Sequence, residues 1–421
     1  RARRLSALPV GKVEESALLP VVKEKLADAS KVLSVQERLD CIGNCIDIGI
    51  ARAEYARGCR AVIFVGNTGA GKSTTVNYLV GCEMEEVTKE EIGIEEDGSV
   101  IRVKENSPIS ERTTIGHENV SSTFLPDIVK ADGDLRFFDC PGFLDNRGSE
   151  INIANAVNIR TAIQAASEVK VVVLLSMASI QADRGRGMRE MVQMLRDLFG
   201  DTVEEHMESL LIVVTGLKPD LGVEVPGYDP DEVKLVKGTL RKEKSIATIV
   251  EPLMERVHAY DPLNRPIDGG VTRQELLDLI DGMRPIATPG EIFKTVLTVE
   301  DQSSLRDIAS ELKSRLVASL EACEYEAVYG DLKLLRGLDR IQDDRVTLLR
   351  GDVESAIKDD MFRRYNDIVR LVMTERFDDA KGQLRTLEAA ASVLGSVGDC
   401  RAMFTDAQTY VQSAEDGAAL R

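Results

Sequence analysis

The chain has 421 residues, 43% of them hydrophobic and 29% charged, and its formal net charge is −18 at pH 7. This length exceeds what one hydrophobic core usually organises, so we expect one domain of roughly 200 residues and a second, smaller unit. The acidic balance argues against a nonspecific nucleic-acid partner or an anionic-membrane binder, since both need a basic surface, and an anionic ligand would require a local positive pocket.

Residues 1–57 are predicted to form an N-terminal helical segment. Ser34 and Glu37 have the spacing of a capping box. Four aliphatic residues follow at helical spacing: Leu39, Ile42, Ile46 and Ile50. Cys41 and Cys45 share one helix face, and we interpret them as buried apolar side chains. Seven cysteines without a paired metal-type spacing fit a reducing compartment, so a cytoplasmic location is expected.

From residue 60 to about residue 283, short apolar runs alternate with amphipathic segments, which is typical of a parallel sheet with crossover helices. The predicted strands are Ala61–Val65, Ser122–Val129, Leu135–Asp139, Val169–Ser176, Leu210–Thr215 and Val257–Tyr260. The predicted helices between them include Ile151–Ala165, Met188–Phe199 and Thr272–Met283. The polar, Glu-rich segment Val87–Asn119 is interpreted as an insertion or long mobile loop. The longest apolar run, Val169–Ser176, is much shorter than the ~20 residues that span a bilayer, so no integral membrane segment is expected.

Pro285 and Pro289 mark the end of the region with strand patterns. The residues after them have helical periodicity. Helices are predicted at Ser303–Glu321, Val353–Glu375 and Asp379–Leu394. The expected fold is therefore a three-layer αβα domain with a mostly parallel sheet at residues 58–285, followed by an all-α extension at residues 286–421. Protein partners are expected to bind through these C-terminal helices.

A phosphate-binding loop is predicted at Gly66–Ser73, which matches the pattern G-x-x-x-x-G-K-[ST] directly after the strand Ala61–Val65 and before the helix-like Thr74–Val80. Glycines let the backbone curl so that successive N–H groups point at phosphate oxygens. Lys72 is expected to bridge the β- and γ-phosphates, and Ser73 to bind Mg²⁺. The candidate nucleotide-binding residues of this loop are Gly66, Asn67, Thr68, Gly69, Ala70, Gly71, Lys72, Ser73 and Thr74.

A second phosphate-side motif is Asp139-x-x-Gly142, at the end of a predicted strand. Asp139 is expected to reach the Mg²⁺ shell, and the Gly142 N–H to contact the γ-phosphate. A γ-phosphate sensor also needs a threonine, for which Thr123 is preferred, with Thr113 and Thr114 as alternatives. Thr123 lies across a predicted hairpin whose turn is at Asp132 and Gly133. The candidate metal ligands are Ser73, Thr123 and Asp139, and the candidate catalytic residues are Lys72, Thr123 and Gly142.

A base-reading motif follows the strand Leu210–Thr215, where Lys218 and Asp220 form a K-x-D sequence. The aspartate would accept hydrogen bonds from N1–H and the exocyclic amine of guanine, and the lysine stem would pack over the base. Leu217 stands where an Asn or Thr is expected, which leaves adenine or degenerate recognition as an alternative. GTP/GDP with Mg²⁺ is the expected ligand.

With these motifs in this order, residues 60–283 resemble the TRAFAC class of P-loop GTPases, and within it the septin, Toc-receptor and AIG1-type immunity-associated group. The D-x-P-G form at 139–142 and Phe143 after it are shared with that group. Phe143 cannot orient a water as a Gln does, so slow intrinsic hydrolysis is expected. The resemblance also implies self-association of G domains across the nucleotide face, where Arg184 is a candidate trans-acting residue, with a solvated charge cluster as the alternative.

These observations favour a nucleotide-dependent assembly switch that binds GTP and hydrolyses it slowly. Two alternatives stay open from the sequence. One is a GTPase-like scaffold that retains its nucleotide without turnover, and the other is a P-loop ATPase or kinase.

Overall fold

The computed structural model describes residues 17–95, 97–109, 112–115, 125–142, 148–181, 186–217, 253–265, 267, 269–341, 344–395 and 397–419. The helices are α1 (Pro20–Ala27), α2 (Val35–Ala53), α3 (Lys72–Leu79), α4 (Ser149–Ala165), α5 (Met177–Gln181), α6 (Arg186–Phe199), α7 (Arg273–Asp281), α8 (Pro289–Ile292), α9 (Val299–Glu321), α10 (Tyr325–Leu338), α11 (Asp344–Met373), α12 (Phe377–Leu394) and α13 (Cys400–Ala419). The strands are β1 (Arg60–Val65), β2 (Met84–Thr88), β3 (Ser99–Val103), β4 (Asp127–Lys130), β5 (Leu135–Asp139), β6 (Glu168–Ser176), β7 (Leu210–Thr215) and β8 (Val257–Ala259).

The main sheet of the described residues has six strands in the order β4-β5-β1-β6-β7-β8. All neighbours are parallel except β4 and β5, which form an antiparallel hairpin at the edge. The turn of this hairpin includes Gly133 in the left-handed region (φ 63°), as the sequence predicted. The described strand β4 covers the last part of the predicted Ser122–Val129, and residues 121–124 lie outside the described residues.

Helices cover both faces of the sheet, because the central strands β1, β6 and β7 carry buried apolar side chains on both faces. On one face, Ile63 of β1 and Val171 of β6 pack in a core with α4 and α6. On the other face, Phe64 and Val172 pack in a core with α3 and α7. The predicted αβα domain with a mostly parallel sheet is thus confirmed, and so are its predicted helices after β5, before β7 and after β8.

The segment Val87–Asn119, interpreted from the sequence as an insertion or long mobile loop, is not loop throughout, because part of it belongs to a strand pair. Strands β2 and β3 make an antiparallel two-stranded sheet. The strands are joined by an ion pair between Arg102 Nε and Glu85 Oε1 at 2.8 Å, and Ile101 and Val103 of β3 pack against the core that contains α3 and α7. The two short strands lack the strict apolar alternation that marks a strand in sequence. Opposite charges that face each other across the pair favour the observed pairing.

Helix α2 begins with the predicted capping box. The Ser34 N–H donates to Glu37 Oε2 at 2.9 Å, and the Glu37 N–H donates to Ser34 Oγ at 3.4 Å. Cys41 and Cys45 are buried, which confirms their interpretation as apolar side chains. Gly49 permits a close approach to α4, since a Cβ there would lie 2.0 Å from Cγ of Asn158.

The described residues divide into two compact units: 17–32 together with those between 40 and 301, and 33–39 together with those between 302 and 419. The second unit is helical, and α9 contributes one apolar stripe to its interior. Five buried residues at spacings of three and four make up this stripe: Leu305, Ile308, Leu312, Leu316 and Leu320. Among the helices within the described ranges, none combines the length and apolar character that crossing a bilayer requires.

Candidate functional site

The loop Gly66–Ser73 joins the end of β1 to the start of α3 and packs directly on β6. Gly66 has φ 152°, and a Cβ on it would lie 2.5 Å from the carbonyl oxygen of Leu174. Gly71 has φ 83° and precedes the first residue of α3. Because these conformations suit glycine alone, the two glycines set the curl that directs the loop N–H groups and the positive end of α3 toward an anion.

Lys72 folds back over the loop. Its ammonium Nζ donates to the carbonyl oxygens of Gly66 at 2.9 Å and of Asn67 at 2.8 Å, and the residue is 7% exposed. The positive charge is therefore held against the loop, where it is placed to pair with the phosphate oxygens of a ligand.

Three groups converge beside the start of α3. The hydroxyl of Ser73 and the hydroxyl of Thr113 each donate to the same oxygen, Oδ2 of Asp139, both at 2.6 Å. Asp139 is fully buried at the carboxyl end of β5, next to the loop. Thr123, which the sequence preferred as the metal-side threonine, lies outside the described residues, whereas the alternative Thr113 is brought to this position.

The second carboxylate oxygen of Asp139, Oδ1, is buried and has no hydrogen-bond partner in the described residues. Burial raises the pKa of Asp139 from 3.8 to about 6, and the hydrogen bonds from Ser73 and Thr113 oppose this rise. An unpartnered buried carboxylate oxygen beside two hydroxyls is the oxygen-rich donor set that Mg²⁺ prefers. The residues present therefore fit a magnesium ion shared with a nucleotide phosphate.

Thr113 is fixed from two further sides. The side-chain amide of Asn77 on α3 donates to the Thr113 carbonyl oxygen and accepts from the Thr113 N–H, both at 2.9 Å. The Thr113 hydroxyl also lies 3.3 Å from Oδ2 of Asp127 on β4, and Asp127 in turn binds the guanidinium of Arg52. Because the Thr113 N–H is committed to Asn77, Thr113 offers its hydroxyl rather than its amide to a ligand.

Asn77, Asp127 and Arg52 were missed from the sequence. The sequence did contain one signal for Asp127. Asp127 and Asp139 lie the same number of residues before and after Gly133 in the predicted turn, so a regular hairpin would pair them. The observed register pairs these two residues. Asn77 and Arg52 carry no comparable signal, because their contacts come from the packing of helices.

Gly142 lies against the phosphate-binding loop. A Cβ on Gly142 would be 2.3 Å from Oγ1 of Thr68 and 2.8 Å from its backbone nitrogen. The glycine of the Asp139-x-x-Gly142 motif and the loop therefore meet in direct contact, which only a residue without a side chain allows. Phe143 and Arg184 lie outside the described residues.

Other strands and helices brace the loop. The hydroxyl of Thr215, at the end of β7, donates to the carbonyl oxygen of Ala70 at 2.8 Å. Asn67 Nδ2 donates to Oε2 of Glu190 on α6 at 2.8 Å. Thr215 thus connects the loop to the strand after which the base-reading motif is expected, although Lys218 and Asp220 themselves lie outside the described residues.

Comparison with protein families matches residues 61–215 to the model of the 50S ribosome-binding GTPase family. No curated protein matches the chain. The matched range contains the loop Gly66–Ser73, Thr113, Asp139 and Gly142. It indicates a P-loop GTPase G domain, which implies guanine-nucleotide binding.

Proposed function

We propose that this protein is a GTP-dependent assembly switch that hydrolyses GTP slowly, because residues 61–215 match the model of a GTPase family. The observation that carries the proposal is the convergence of Ser73 and Thr113 on Asp139 beside the phosphate-binding loop. A switch needs groups that respond to the γ-phosphate from outside the loop. Gly142 is such a group because it contacts Thr68 of the loop, and Thr113 is such a group because its hydroxyl shares Oδ2 of Asp139 with Ser73 of the loop.

In this proposal Ser73, Thr113 and Asp139 hold Mg²⁺, and Thr113 has the role that the sequence preferred for Thr123. The ion would neutralise charge that develops between the β- and γ-phosphates. Lys72 binds the phosphates as a point charge, and the loop N–H groups orient them. Gly142, in contact with Thr68, would respond when the terminal phosphate enters or leaves.

The remaining parts of the proposal rest on sequence motifs. Lys218 and Asp220 read guanine, and Phe143 in place of a water-orienting Gln makes hydrolysis slow. The likeness to the septin, Toc-receptor and AIG1-type group supports self-association through the G domain, with Arg184 reaching the partner's nucleotide. The C-terminal helices bind protein partners, and the protein acts in the cytoplasm.

The proposal is tested by nucleotide competition on the full chain with Mg²⁺ present. We expect labelled GTP to bind more tightly than ATP, and Lys72→Ala to lose this binding while retaining the fold by circular dichroism. A preference for ATP would support an ATPase or kinase instead. GTP that survives repeated washing and is not turned over would support the scaffold. Equally poor binding of both nucleotides by the parent and the variant would overturn nucleotide binding itself.

The role of Thr113 is tested with its neighbour as a matched control. Thr113→Ala removes a buried hydroxyl from the metal site, so we expect about a 10- to 100-fold loss of Mg²⁺-dependent GTP affinity, as for one charge-assisted hydrogen bond. Thr114→Ala alters an exposed residue and is expected to leave this affinity unchanged. Magnesium titrations with fluorescent GTP measure both. The assignment fails if the two variants behave alike.

A further inference from the structure

Asp127 and Asp139 are two carboxylates of neighbouring strands that flank one hydroxyl. They are directly opposite each other in the antiparallel ladder of β4 and β5, so their side chains lie on the same face of the sheet. Thr113 Oγ1 lies between them, 2.6 Å from Asp139 Oδ2 and 3.3 Å from Asp127 Oδ2. The hydroxyl therefore has two carboxylate acceptors within reach.

A threonine hydroxyl has one proton and two lone pairs. When Thr113 and Asp139 both give oxygen lone pairs to a cation, Asp139 becomes the poorer acceptor for the proton of Thr113. Asp127 is then the acceptor that remains, because its Oδ2 already faces Thr113. Carboxylates that orient a metal ligand in this way usually matter for metal affinity although they do not touch the metal.

Asp127 is held in turn by helix α2. Its Oδ1 binds the guanidinium of Arg52, in the last turn of α2, and the two side chains are 13% and 15% exposed. Burial raises the pKa of Asp127, and Arg52 opposes that rise. Arg52 thus fixes the position of the Asp127 carboxylate, and the ion pair connects α2 to Thr113 within one compact unit.

We propose that Asp127 is a positioning residue that orients the hydroxyl of Thr113 toward Mg²⁺, and that Arg52 couples the last turn of α2 to the presence of GTP. This inference rests on the proposed function, because it takes Thr113 as the metal-side threonine. By thermodynamic linkage the coupling is reciprocal. GTP stabilises the end of α2, and the Arg52–Asp127 pair strengthens the binding of GTP relative to GDP.

The test compares GTP and GDP affinities at fixed Mg²⁺ in the full chain for the parent and Asp127→Asn. We expect Asp127→Asn to weaken GTP binding about tenfold or more and to change GDP binding by less than about twofold. Asp134 lies in the turn of the same hairpin and forms an exposed ion pair with Arg60 of β1, so Asp134→Asn is the matched control and should change neither affinity. An equal loss for both nucleotides, or no loss, would mean that the Arg52–Asp127 pair serves only the fold.

Hydrogen exchange of the α2 amides distinguishes coupling from a purely structural role. If the Arg52–Asp127 pair served only the fold, exchange in α2 would not depend on which nucleotide is bound. In the parent, we expect GTP with Mg²⁺ to protect the last turn of α2 more than GDP does, and Asp127→Asn to abolish this difference. If Asp127→Asn folds poorly, the double variant Arg52→Gln/Asp127→Asn removes both buried charges and must also lose the difference. Retention of the difference in either folded variant overturns the inference.

Different results would overturn the metal-side role of Thr113 and the positioning role of Asp127. If the parent binds GTP and GDP equally and Thr113→Ala changes nothing, the proposed role of Thr113 fails and this inference falls with it. If the parent and Thr113→Ala behave as proposed but the Asp127 variants resemble the parent, only the inference fails.

Discussion

At the scale of single residues, the buried carboxylate of Asp139 makes the site costly to fold without its ligand. A carboxyl group whose pKa is raised by folding contributes stability at low pH, where it is protonated, and this contribution is lost as pH rises through the folded pKa. For Asp139 the window runs from its ordinary 3.8 to about 6. A cation that binds the charged form compensates for this cost at neutral pH.

We therefore expect the pH dependence of stability to differ between the parent and Asp139→Asn. The measurement is made with a metal chelator and without nucleotide. Between about pH 4 and about pH 7, the free energy of unfolding of the parent should decrease by up to about 3 kcal/mol more than that of Asp139→Asn. The asparagine keeps an oxygen for the hydroxyls of Ser73 and Thr113 but does not ionise. Urea denaturation across this pH range measures the difference.

Two results would contradict this account of Asp139. Parallel pH profiles of the parent and Asp139→Asn would show that the carboxyl is not the titrating group. A parent that GTP with Mg²⁺ does not stabilise at pH 7 more than at pH 5 would show that a ligand does not offset the buried charge. The variant itself should gain little from GTP with Mg²⁺ at either pH, because stabilisation by a ligand follows its affinity.

At the scale of secondary-structure elements, the packing of α2 on α4 depends on one glycine of α2. Asn158 is buried against Gly49, and its Nδ2 donates to the Cys45 carbonyl oxygen at 3.0 Å. A methyl group at position 49 would displace the amide and break this hydrogen bond. At Gly43, on the same helix, no heavy atom outside the backbone of α2 lies within 4 Å of the place that a Cβ would take, so a methyl group has room.

The two glycines should therefore respond in opposite directions to the same change. Gly49→Ala is expected to destabilise the protein by about 2 kcal/mol or more, through overpacking and a buried amide that loses its partner. Gly43→Ala is expected to stabilise it by up to about 1 kcal/mol, because alanine favours the helix. Urea denaturation followed by circular dichroism compares both variants with the parent.

The double variant Gly49→Ala/Asn158→Ala tests whether the steric conflict with Asn158 causes the destabilisation. Asn158→Ala frees the space that Gly49→Ala needs, so the combination should be less destabilised than the sum of the two single variants. If Gly49→Ala and Gly43→Ala stabilise equally, the close contact between α2 and α4 is not a constraint on this helix.

The elements that the sequence predicted well are those with a strong apolar pattern. Strand β1, the loop Gly66–Ser73 and the hairpin at Gly133 were identified because periodicity, glycine spacing and turn chemistry all act locally. The pair β2 and β3 was missed because its strands are short and lack a regular apolar alternation, and because the contact between Glu85 and Arg102 forms only across the strands. Such a pairing is visible only once the register is known.

The residues of the candidate site also divide into those that local motifs identify and those that only tertiary packing positions. Lys72, Ser73 and Asp139 follow from motifs, since their spacing along the chain is fixed by the strands and the loop that carry them. The choice between Thr113 and Thr123 does not follow from a motif. It depends on the path that the long connection between α3 and β4 takes back to the sheet. Asn77, which holds the backbone of Thr113 through two hydrogen bonds, belongs to tertiary packing that no local pattern specifies.

At the scale of the whole molecule, the net charge of −18 bears on the proposed self-association. Two such chains repel each other over a Debye length, which is about 30 Å at 0.01 M salt and about 8 Å at 0.15 M. An assembly that depends on GTP must overcome this repulsion through contacts at its interface. Salt that screens the repulsion should therefore favour the assembly.

We expect self-association of the full chain with GTP and Mg²⁺ to strengthen between about 0.01 M and about 0.15 M salt. Sedimentation velocity over a range of protein concentrations measures the dissociation constant at each ionic strength. The same series with GDP is the control, because salt alone should not drive association when the γ-phosphate is absent. Weaker association at higher salt would instead indicate an interface built on complementary charges, so that local ion pairs outweigh the repulsion between the two acidic chains.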